Sequence, residues 1–157
     1  MFIRYKYDLT FTKNDLKLIE KSVQKFHKYD IYFIHDTEKW DCTLTQQSKE
    51  NQKKNPHIGM EAEKEFSWTI YTKPIQVVFL KENWDSLPKH KGCEFTCLES
   101  YQLALINHEL AHVAGFGHVD CPKIGYPADV RQQPSVGLRG CVPTTEVILY
   151  PISKQIE

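Results

Sequence analysis

Charge of one sign has no surplus in this sequence. Its 157 residues carry 20 basic and 20 acidic side chains, so nothing points to nucleic acid or to an anionic membrane surface as a partner. Long apolar runs are missing as well. None approaches the roughly 20 residues of a membrane-spanning helix, and no membrane span is expected. The opening residues MFIRYKYD lack the apolar core of a secretory signal. A cytoplasmic protein is expected if Met1 is the native start, and a secreted one if the chain is a trimmed mature form. No internal repeat and no linker to a second domain is visible, so residues 1–157 are expected to form one domain, with room for a real core. Methionine is scarce, occurring only as Met1 and Met60. The five cysteines, Cys42, Cys93, Cys97, Cys121 and Cys141, form no CxxC pair, and an odd number cannot all pair within one chain.

What the chain does have is one dense motif: His108, Glu109, His112, Gly115 and His118 fill every fixed place of HExxHxxGxxH. Five positions of roughly one-in-twenty residue types, over about 150 starting points, give a chance match on the order of 1 in 20,000. On a helix, residues four apart share a face, so His108 and His112 can offer imidazole nitrogens to one metal ion. Glu109 is displaced by about a quarter turn and falls beside an open coordination position, where a base for a metal-activated water is needed. Gly115 follows the apolar run, where a helix can stop through a left-handed residue without steric cost. The turn there lets His118 return as a third nitrogen ligand. This pattern predicts one catalytic zinc ion held by three histidines. Asp120 is the alternative third ligand, though His118 matches the spacing; otherwise it is a partner outside the ligand set or a solvent-exposed loop residue.

Taken in order, residues 2–11 alternate and are rich in aromatic and β-branched types, which predicts a strand. The Thr12–Asp15 spacing resembles a capping box, and Leu16, Ile19, Val23 and Phe26 follow as one apolar helical face. Short strands are expected at residues 31–35 and 40–45, and a strand–helix–strand unit of this length suits a right-handed crossover. Residues 46–57 contain no large apolar side chain and read as a long exposed loop. Strands are expected at 66–72 and 75–80, then a polar stretch at 81–94 broken by Pro88 and Gly92. A helix over 98–114 is apolar on more than one face and carries the first two histidines. Past His118, prolines and glycines predict loops. The fold class is therefore α+β: a mixed, twisted sheet of about five strands, two main helices including the histidine helix, and a short irregular C-terminal part.

The stretch from His108 to His118 resembles the zinc motif of the metzincin clan of zinc endopeptidases, which includes matrixins, astacins and archaemetzincins. The resemblance implies that His108, His112 and His118 bind zinc, Glu109 is the general base and Gly115 makes the turn. It implies an N-terminal sheet–helix subdomain over 1–117 and a C-terminal subdomain over 118–157. It also implies an edge strand that pairs with an extended peptide substrate, a role open to either 66–72 or 75–80. The clan places a methionine under the zinc, and here the segment 147–151 resembles that turn with Leu149 in its place. Leucine has a similar volume and could pack there. Tyr150 could approach the substrate carbonyl, as a tyrosine does in astacins, or be a structural aromatic. Archaemetzincins carry a cysteine zinc site, but Cys93 and Cys97 with Cys121 and Cys141 make only a weak signature, and a second ion is not expected; in an exported protein Cys121 and Cys141 would form a natural bridge, and in a reducing compartment the cysteines would be thiols. The expectation is a monomeric zinc endopeptidase. The alternatives are a binding protein that keeps zinc as a structural staple, and a zinc hydrolase of a non-peptide amide.

Overall fold

The computed structural model describes residues 1–48, 67–85 and 98–116, together with Val147 and Leu149. The chain opens with β1 (Phe2–Tyr7), whose Ile3 and Tyr5 turn inward while Phe2 and Arg4 face out. Strand β1 stops at Tyr7, and residues 8–11 form a turn instead of continuing the strand. Asp8 explains the break, because its carboxylate accepts the Thr10 N–H and its own carbonyl accepts the Phe11 N–H.

Helix α1 (Lys13–Lys25) starts at a complete capping box: Thr12 Oγ1 accepts the Asp15 N–H, and the Asp15 carboxylate accepts the Thr12 N–H. Its inward face is Ile19, Val23 and Phe26, joined by Leu18 and Ser22, with Leu16 partly buried. A short 3-10 turn (His27–Tyr29) leads into β2 (Tyr32–His35). Strand β3 (Cys42–Gln47) runs two residues into the stretch read as loop, so Gln46 and Gln47 belong to the sheet. The remainder of that stretch lies outside the described residues.

Strand β4 (Ser67–Ile70) precedes β5 (Ile75–Leu80), and α2 (Lys81–Trp84) is a single helical turn inside the segment read only as polar and broken. That turn forms because Trp84 is driven into the core, where its Nε1 donates to Asp15 at 3.0 Å. The second long helix, α3 (Leu98–Val113), is buried at every position from Tyr101 onward.

The five strands form one sheet in the order β2-β1-β3-β5-β4. All neighbours are parallel except β4, which runs antiparallel to β5. This is the mixed five-stranded sheet with two main helices that the sequence predicts. Strands β1 and β2 lie side by side and parallel across α1. Leu44 of β3 pairs with Val77 of β5, and Val77 with Thr69 of β4, so all three share one face. Ile3, Tyr5, Leu44, Val77 and Phe79 join the inward residues of α1 and α3 in one core. Among those helices' contacts, Ser22 Oγ donates to Asn107 Oδ1 at 2.5 Å between two fully buried residues. Val78 and Leu80 face the other way and are also buried, as a strand inside a sheet requires. Among the described residues β5 is interior to the sheet and β4 lies at an edge. No helix among the described residues is long and apolar enough to cross a membrane.

Candidate metal centre

The last two turns of α3 carry His108, Glu109 and His112, with side chains about one-tenth exposed or less. Helical spacing brings His108 Nε2 to 3.2 Å from His112 Nε2. Two nitrogens bound to one tetrahedral zinc at 2.0–2.1 Å lie about 3.3–3.4 Å apart, so the pair is close to the spacing that a shared cation demands. The His112 ring is oriented from its other side, where Nδ1 lies 2.9 Å from the Phe116 carbonyl oxygen. A carbonyl can only accept, so Nδ1 carries the proton and Nε2 keeps its lone pair. This is the outer hydrogen bond that metal-ligating histidines use to fix their tautomer.

The source of that carbonyl is the helix terminus. Gly115 has φ +99, its N–H donates to His112 O, and the Phe116 N–H donates to Ala111 O. Those two bonds are the 5→2 and 6→1 pair of a Schellman cap with glycine at the left-handed position. Phe116 packs against the core immediately afterwards. The glycine thus turns the chain so that its next carbonyl faces His112.

Glu109 is 2 % exposed, and its Oε1 lies 3.9 Å from His108 Nε2. The three side chains offer ligand atoms all within 4.8 Å of one another, a group that could hold a metal ion. The nitrogen pair has the better spacing, because the Glu109–His108 separation exceeds a tetrahedral edge. Strand β4 and the residue that follows it run along this helix and touch it at two hydroxyls. Thr69 Oγ1 lies 3.1 Å from Glu109 Oε2, and Tyr71 Oη donates to the His112 carbonyl at 3.1 Å. Partial burial, and then the charge of Glu109, push the Tyr71 hydroxyl above its usual pKa.

Of the four residues predicted for the site, His108, Glu109 and His112 are brought together; His118 lies outside the described residues, as do Asp120 and Tyr150. Four of the five cysteines also lie outside them, while Cys42 is a free, buried thiol on β3. Leu149 is buried in the core cluster that contains Leu110, Ala111 and Val113, and its N–H donates to the Tyr29 hydroxyl at 3.0 Å. Three contributors were not apparent from the motif: Thr69, Tyr71 and the Phe116 carbonyl. Only the last had a signal, since a glycine-ended helix commonly turns through a Schellman cap. No family model and no curated protein matches the chain.

Proposed function

We propose that the protein is a zinc-dependent endopeptidase with a metzincin-like site. The observation that supports this most strongly is the His108–His112 nitrogen pair at 3.2 Å with a buried glutamate beside it and a sheet edge alongside. His108, His112 and His118 hold the zinc. A zinc ion so held supplies a water of near-neutral pKa and a Lewis acid for a peptide carbonyl. Glu109 would take a proton from the attacking water through Oε1, the oxygen on the His108 side, and hand it to the departing amine. Among the described residues no strand lies on the outer side of β4, and an extended peptide would add there as a further strand.

A structural staple is the competing reading. It has no use for a carboxylate at 2 % exposure next to the ligands, and structural sites close with four protein ligands. The test compares wild type with Glu109→Gln on an unbiased peptide library, with metal content measured in both. The expected result is equal zinc and a loss of hydrolysis of about 100-fold or more in the variant. Wild-type cleavage by Glu109→Gln would contradict the assignment of the base. Zinc without cleavage by either protein would favour the staple or a non-peptide amide.

A further inference from the structure

We propose that Thr69 is a positioning residue that orients the Glu109 carboxylate, an inference that rests on the peptidase reading of the same site. Thr69 sits on the edge strand, 40 residues before Glu109, facing α3 in register with Val77. Its hydroxyl has one proton and two acceptors within reach, Glu109 Oε2 at 3.1 Å and the Glu109 carbonyl at 3.5 Å. The carboxylate wins on distance and on charge. With Oε2 held from the β4 side, Oε1 is the oxygen left towards His108. That division lets one oxygen receive a proton while the other stays anchored, and it keeps the carboxylate from swinging in as a metal ligand.

Threonine suits the task. Its β-branched side chain is stiff about χ1 and belongs in a strand, so the hydroxyl is presented in a narrow range of directions. Tyr71, just past the end of the strand, bonds the His112 carbonyl and ties that end to the ligand-bearing turn of α3. Edge strand and base are therefore joined. A peptide added to the outer side of β4 is set at a fixed distance from Glu109 by the strand that orients it.

The experiment uses the full chain as wild type, Thr69→Val and Thr69→Ser. Each protein is assayed for kcat and KM on a peptide that wild type cleaves, and each is loaded with cobalt(II) for visible spectroscopy. Thr69→Val should lower kcat about 10- to 100-fold, the range for a hydrogen bond to a charged group, with KM within about twofold. Thr69→Ser should restore most of the rate. The cobalt band should match wild type in Thr69→Ser and change in Thr69→Val, where the Glu109 carboxylate has lost its Thr69 anchor and shifts towards the metal. Wild-type kcat in Thr69→Val, or a serine variant as impaired as valine, would overturn the inference. If wild type cleaves no peptide, the peptidase reading fails on its own, and the cobalt spectra still decide: an unchanged band in Thr69→Val would overturn the positioning role. A wild type that binds no metal would overturn both.

Discussion

At the scale of single residues, fixed local spacing sets the candidate metal group and the turn beside it, whereas Thr69 reaches the group from across the fold. His108, Glu109 and His112 meet because a helix repeats every 3.6 residues. Gly115 was readable for the same reason, and its φ of +99 bears out the expected turn. A Cβ at Gly115 would meet nothing within 4 Å among the described residues, so the expected cost of Gly115→Ala is conformational, about 1 kcal/mol. Denaturant titration should show that loss, and a larger one would mean that the cap does more than permit the turn. Thr69 carries no such signature, because a threonine in a strand is ordinary until the strand's neighbour is known. Cys42 makes a second test. Burial, and then the charge of Asp41, push its thiol up to about 12 from 9.0. Its folded pKa is raised, so unfolding releases a proton above pH 9, and stability present below that value is lost as pH rises towards 12. Tyr5, raised from 10.0 to about 12, adds to the same decline. Stability measured between pH 8 and 10.5 should fall more steeply for wild type than for Cys42→Ala; equal slopes would remove the thiol as a cause.

Among the elements, α1 was the most fully foreseen, because cap and apolar face both lie within a few residues of one another. The capping box also has a role that no local pattern announces: Asp15 accepts from Thr12 N–H through one oxygen and from Trp84 Nε1, 69 positions away, through the other. The one-turn helix α2 went unread because its cause, the burial of Trp84 at 2 % exposure, is tertiary. Two substitutions separate the local and tertiary parts. Thr12→Ala should cost about 1 kcal/mol through the cap. Asp15→Ala should cost about 2–3 kcal/mol, since it also leaves a buried indole N–H without its acceptor. Equal losses would deny Trp84 its share. The edge strand was left between two candidates, although the residues held a clue. Val77, Val78, Phe79 and Leu80 are consecutive and all buried, as a two-sided interior strand demands, whereas the stretch at 66–72 alternates and carries Ser67, Thr69 and Thr72.

For the whole molecule, the layout has a direct bearing on chemistry. Among the described strands the one antiparallel strand lies at an edge of the sheet, and α3 runs beside it with the histidines. Order of elements was readable along the chain; which strand lies outermost depends on pairing between segments, which a single sequence does not encode locally. Because the metal group spans the last turns of α3, zinc binding should stabilise the fold by mass action, about 2.7 kcal/mol at a free concentration 100 times Kd. A chelator should lower the thermal midpoint reversibly, and Thr12→Ala should leave that difference unchanged. Zinc X-ray absorption tests the central claim most directly. One zinc per chain is expected, with nitrogen and oxygen neighbours at about 2.0–2.1 Å, three of them imidazoles and one from solvent, and the signal should collapse in His112→Ala. A zinc closed by four protein ligands, or a chain that binds none, would contradict it.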